Sequence, residues 1–185
     1  MKKINTFVDK ITQPNYKRWI IVGYFLSLTL LLNPWFGTNH LKKINNGMGM
    51  IEMHIFNMPS QLHEYLNQLG SAGVHAYMIL LIIDVLFLID IGCLQLTLFN
   101  ILFKKTSLDK YLNTAIWLVV ARVIIDLFEN CLMTANLKSC PNHNPILLLI
   151  TTITTTTKWI LLIISLIILF GMLGIFLVKK AQKKT

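Results

Sequence analysis

Apolar residues come in four long runs, at about 19–36, 74–103, 111–137 and 145–178, separated by short polar stretches. About 20 predominantly apolar residues are what a helix needs to cross the hydrocarbon of a bilayer. The pattern therefore predicts an all-α integral membrane protein, an antiparallel bundle of four transmembrane helices forming a single domain over residues 1–185. Trp19 and the Asn33-Pro34-Trp35 triplet bound the first run, as interfacial residues do. A basic segment ahead of an apolar core also suits a signal peptide, but no small-residue A-x-A site follows, so the first run is expected to remain a span.

The one sizeable connection is the loop 37–73. Its first half is polar and glycine-containing, and its second half predicts a short amphipathic helix. Pro59-Ser60 offers the N-cap, Leu62, Tyr65, Leu66 and Leu69 make one apolar face, and Gly70 stops it. Such a helix would lie in the membrane interface or cap the mouth of the bundle. Tight turns at 104–110 and 139–145 join the remaining spans as antiparallel neighbours.

Composition agrees with the pattern: 55% of the 185 residues are hydrophobic and only 14% charged, with mean hydropathy +0.62. The net charge of +9 would suit nucleic acid, but its distribution argues otherwise. Twelve lysines and arginines lie before the first run, between the second and third, and after the fourth; the other two connections hold only Lys42, Lys43 and Lys138. This is the positive-inside pattern, and it puts both termini in the cytoplasm, with the chain multi-pass in the cell (inner) membrane. The lysines then set topology and touch anionic headgroups, and no nucleic-acid partner is expected. Cys93, Cys131 and Cys140 form no C-x-x-C pair, which disfavours a disulfide oxidoreductase.

The third run is not uniformly apolar. Arg122, Asp126, Glu129 and Met133 share one helical face, at offsets of 4, 7 and 11. Each such charge costs about 2.5–3.5 kcal/mol at the centre of a bilayer, so the three must be hidden against other helices. Asp84 and Asp90 on the second run and Lys158 on the fourth are the available partners. At 1.5 Å per residue, Asp84, Glu129 and Lys158 fall roughly 27–30 Å from the cytoplasmic ends, and Arg122, Asp90 and Asp126 roughly 17–22 Å. Each layer has one cation and at least one carboxylate, the arrangement buried charges require. Tyr77 and Gln95 extend the seam on the second run, and Thr151, Thr154 and Ser165 on the fourth. Arg122 and Asp126, one turn apart, are expected to neutralise each other, while Glu129 and Asp84 compete for Lys158 and leave one carboxylate in excess. Interhelical ion pairs that merely fix packing are the bland alternative. Such contacts are worth only about 1 kcal/mol in membranes, and intramembrane ionisable residues commonly mark a site.

All five histidines lie on or near the outer side, and Met50, Met53 and His54 are the residues a Cu(I) site would draw on. Methionines beside a membrane also pack against it, and no H-x-x-x-H or C-x-x-C motif accompanies them, so no metal or other cofactor is expected. Serine-hydrolase elbows and phosphate-cradling glycine loops are likewise absent from the sequence.

Leu69-Gly70-x-x-Gly73 with Tyr77, Asp84-x-x-Phe87, Asp126-x-x-Glu129-Asn130 and Thr157-Lys158 together resemble an uncharacterised family of small four-span bacterial membrane proteins with a D-x-x-E-N motif in the third span. The resemblance covers roughly residues 59–178. Val74 and Leu88 stand where the family pattern has an arginine and a proline, and the resemblance implies no particular activity. The expectation is a non-enzymatic membrane protein whose polar core binds a small ligand or ion or relays protons. Asp84, Glu129, Lys158, Asp126, Arg122, Asn130 and Tyr77 are the candidate residues. An intramembrane lipid-modifying enzyme using Asp84, Glu129 and Lys158, and an accessory subunit paired with a partner membrane protein, are the alternatives.

Overall fold

A computed structural model describes residues 2–182 as helices joined by turns and loops, with no strand among the described residues. In chain order the helices are α1 (Lys2–Ile11), α2 (Pro14–Leu31), α3 (Thr38–Ile44), α4 (Pro59–Gln68), α5 (Gly70–Thr106), α6 (Leu112–Lys138) and α7 (Pro145–Gln182). The four apolar runs fall on α2, α5, α6 and α7. Two of these, α5 and α7, are long and apolar enough to cross a membrane. The length of α6 would serve, but Arg122, Asp126 and Glu129 interrupt it; α2 opens on polar Pro14-Asn-Tyr-Lys-Arg18 and has a shorter apolar stretch.

Local chemistry sets the ends. Pro14 and Pro145 occupy first helical positions, where a missing N–H costs nothing. Asn144 Oδ1 accepts the Ile146 N–H at 2.9 Å and caps α7. At the end of α5, Ser107 turns left-handed (φ 58°) and its N–H reaches the Lys104 carbonyl, with Lys104 and Lys105 in the last turn. Gly70, at φ 60°, lets the chain swing from α4 directly into α5.

Three local expectations change. The polar first half of the loop contains α3, seven residues whose Thr38 and Leu41 are buried. The N-cap of α4 is Met58, whose N–H is held by Gln61 Oε1 at 2.8 Å, and Pro59 is the first helical residue. The first long helix starts and ends about five residues earlier than the apolar run, because Pro14 starts it and the Asn33–Gly37 turn ends it.

Helices α5, α6 and α7 pack on one another, α2 lies along α5, and α3 and α4 cover the end where α5 begins. Apolar side chains form two separate cores. One, at the loop end, joins Leu41, Ile51, Leu66, Tyr77, Leu80 and Met133. The other, at the α5–α6 turn, joins Val8, Phe99, Phe103, Ile116, Val119 and Met172. Between them lies a polar layer. Outward, the pattern inverts: Ile146, Ile153, Ile160 and Ile167, seven residues apart on α7, are all exposed, while Thr151, Thr152, Thr155 and Ser165 of the same helix are buried.

Candidate functional site

The polar layer is built first by the pairing of α6 with α7. Running antiparallel, the two helices bring Asn136 to Thr151, Glu129 to Thr155 and Lys158, and Asp126 to Lys158. Asn136 Nδ2 donates to Thr151 Oγ1 at 2.8 Å, and the Thr155 hydroxyl donates to Glu129 Oε1. Lys158 Nζ pairs with Glu129 Oε2 and stands 3.2 Å from Asp126 Oδ1. Nearer the turn end, Gln95 Nε2 of α5 donates to Ser165 Oγ at 2.7 Å. The threonine run also bonds back to its own helix, Thr151 to the Leu147 carbonyl and Thr155 to that of Thr151, so its hydroxyls need no water. Glu129 is fully buried (0% exposed).

The pairing differs from the sequence expectation in three ways. Arg122 and Asp126 are not an isolated pair: their closest approach is 3.9 Å, and Asp126 is shared with Lys158. Asp84 does not hold Lys158; its Oδ2 accepts from Asn130 Nδ2 at 2.9 Å, which puts Asn130 in the network. Asp90 leaves the layer, lying against α2 where a Cβ on Gly23 would come within 2.8 Å of its Oδ1. Tyr77 is buried above the network, edge-on to Tyr65 at 6.1 Å between ring centres.

A group not anticipated from sequence completes the layer. Glu52, in a one-turn 3-10 helix (Ile51–Met53) of the loop, is 2% exposed, and neither carboxylate oxygen has a hydrogen-bond partner. Its segment is tied down by side chains that satisfy the backbone. Trp159 Nε1 donates to the Glu52 carbonyl at 3.0 Å, Asn57 Nδ2 to that of Ile51 at 2.8 Å, and Asn45 Nδ2 and the Tyr65 hydroxyl to that of Gly49. Burial pushes the Glu52 carboxyl well above the usual carboxylate range; Lys158 opposes the shift, and Glu129, Asp84 and Asp126 add to it. The sequence signal was slight: one acid among apolar neighbours in Met50-Ile-Glu-Met53.

Glu52 faces a cavity of about 110 Å³ shared with Asp84, Arg122, Asp126, Lys158 and Trp159. Phe87, Leu88, Ile91 and Leu162 make its apolar walls. Arg122 is 4% exposed, and its Nε and Nη2 have no partner either. The cavity thus carries unmatched acceptors on one residue and unmatched donors on another. Fully ionised, four carboxylates (Glu52, Asp84, Asp126, Glu129) against two cations (Arg122, Lys158) would leave an excess of two negative charges. The chain matches no protein family, no curated protein and no solved structure. No group of three or more His, Cys, Asp or Glu side chains among the described residues is arranged to hold a metal. Met50 is buried in the loop-end core, whereas Met53 and His54 are exposed, so the three candidate copper ligands point to different surroundings.

Proposed function

We propose that this chain is a four-span integral membrane protein, with both termini cytoplasmic, whose polar core is a site for a small ligand, ion or proton reached from the loop side. Its kinship with the small four-span bacterial proteins of the D-x-x-E-N pattern is part of the same proposal. The inverted surface supports the membrane reading: isoleucines face outward along α7 and threonines inward, the reverse of a helix packed in a water-soluble domain. It also supports counting α6 and α2 as spans: Arg122, Asp126 and Glu129 of α6 face inward while Trp117, Ile124 and Phe128 are exposed, and α2 exposes Trp19, Val22, Phe25 and Leu26.

One observation carries the functional reading: Glu52 descends from the loop into the core and is buried there without a partner. A buried unpaired carboxylate costs several kcal/mol, so a purely structural loop would do better with a leucine at this position. The same position makes sense where a proton or a ligand group completes the contact. The test is the water access of the cavity. In a background with Cys93, Cys131 and Cys140 replaced by serine, Leu162→Cys at the cavity wall should react with a small charged thiosulfonate added outside. Ile160→Cys, on the exposed apolar face, should stay inert. Equal inertness of the two would sink the reading.

A further inference from the structure

We infer that the core cavity binds a small amphoteric molecule, an ammonium group facing Glu52 and Asp84 and an acidic or other strong acceptor group facing Arg122, with a short apolar body between them. This rests on the proposed ligand-site reading and names the ligand's chemical class. The first ground is the division of unmatched atoms. Glu52 Oε1 and Oε2 lack donors and Arg122 Nε and Nη2 lack acceptors, yet the two residues line the same cavity and form no ion pair with each other. A simple cation would satisfy Glu52 and worsen the surroundings of Arg122; a simple anion would do the reverse. A molecule carrying both groups satisfies both.

The second ground is that the one ammonium beside the cavity is already paired, while Asp84 has only a neutral amide on one of its oxygens. Lys158 is held by Glu129 and Asp126, and Asp84 accepts from Asn130, so the network around the cavity is fixed before any ligand arrives. The third is the wall. Phe87, Leu88, Ile91 and Leu162 offer apolar contact to the body of a small organic molecule. A cavity of about 150 Å³ accepts a benzene, so one of about 110 Å³ takes a ligand of only a few heavy atoms.

The experiment uses the detergent-solubilised full-length chain and five probes: L-alanine, β-alanine, glycine, ethylamine and propionate. Binding is followed by calorimetry and by the fluorescence of Trp159, with Trp159→Phe as the spectral control. At least one amino acid should bind at least about tenfold more tightly than ethylamine or propionate, since each of these lacks one of the two charge-assisted contacts. Glu52→Gln should erase the advantage over propionate, and Arg122→Gln the advantage over ethylamine. If Arg122→Gln does not fold, the Glu52→Gln arm decides. Ethylamine or propionate binding as tightly as the best amino acid overturns the amphoteric inference and leaves the site standing. No binding by any probe, with Leu162→Cys still reactive, overturns the inference alone; no binding together with an inert Leu162→Cys overturns the site as well.

Discussion

Replacing Lys158 by methionine tests whether the polar layer is held by its one central ammonium. Methionine keeps the length and apolar stem and removes only the charge. At 3.2 Å and an effective dielectric of about 20, the attraction between Lys158 and Asp126 alone is about 5 kcal/mol. Most of that offsets the cost of bringing the ammonium out of water, so the intact pair adds little net stability. Removing one partner is different, because Glu129 is 0% exposed and would be left as an uncompensated buried charge. The expected loss is about 3–5 kcal/mol. Lys158→Met with Glu129→Gln should regain a large part of it, since the amide needs no counter-charge and keeps an acceptor for the Thr155 hydroxyl. Equilibrium unfolding in mixed detergent micelles, followed by tryptophan fluorescence, measures both variants. Ordinary hydrogen bonds between transmembrane helices average about 0.6 kcal/mol. A single-variant loss of that size, with no recovery in the double variant, would refute the idea that Lys158 neutralises the layer.

Glu52→Gln should alter the pH dependence of stability. The folded carboxyl binds its proton more tightly than the unfolded one, so the wild type loses stability as pH rises from the ordinary glutamate range through the raised value, by up to about 1.4 kcal/mol per pH unit. The glutamine variant should lose that slope and be the more stable protein at alkaline pH; identical profiles would contradict the burial of Glu52. Trp159→Phe removes the bond to the Glu52 carbonyl, worth about 0.5–1.5 kcal/mol. Maleimide labelling of Ile51→Cys should then speed up by about fivefold, the factor that about 1 kcal/mol represents. Gly37 should respond with opposite sign to Gly171 and Gly174. A Cβ on Gly37 would lie 2.4 Å from the backbone of Leu31 and Asn33, so Gly37→Ala should cost about 1–3 kcal/mol. Gly171 and Gly174 have open space there, and alanine should stabilise α7 by about 0.5–1 kcal/mol at each; thermal unfolding distinguishes the two cases.

The helices of the bundle were legible because apolar runs of this length and the inward face of α6 depend on one-dimensional patterns alone. Depth was legible in part: Glu129 and Lys158, placed level by counting residues, do meet, but Asp126, placed a layer deeper, meets Lys158 too. Azimuth was not. Asp90 follows Asp84 by six residues, about 600° of helix, so the two leave α5 some 120° apart and cannot both face α6. Gln95, eleven residues on, returns to within about 20° of Asp84 and finds Ser165. The same limit hid Thr155, whose partner depends on how α7 is rotated against α6. The helix α3 and the Glu52 turn escaped for another reason. Their residues are held by single side chains, Asn45, Asn57, Tyr65 and Trp159, reaching carbonyls distant in sequence, and no periodicity announces such bonds.

The distribution of satisfied and unsatisfied groups separates what holds the bundle from what the bundle holds. Along the α6–α7 seam these polar side chains each have a partner within the chain: Asn136 with Thr151, Thr155 with Glu129, Lys158 with Glu129 and Asp126, although Asn136 Oδ1 itself stays unmatched. These contacts align two helices in one register, and a structural account of them is sufficient. Glu52 and Arg122 are different, because each is almost wholly buried and each keeps two polar atoms without a partner at the edge of the same cavity. Amide oxygens of Gln95, Asn100, Asn130 and Asn136 are unmatched too, but those side chains are neutral and bond through their NH2 groups. A buried unsatisfied group costs about 1–3 kcal/mol, and more when charged, so Glu52 and Arg122 are the costly pair. The part of the core that satisfies itself is therefore scaffold. The pair that does not, one residue on α6 and one on the loop that closes over it, marks where a second molecule or a mobile proton belongs.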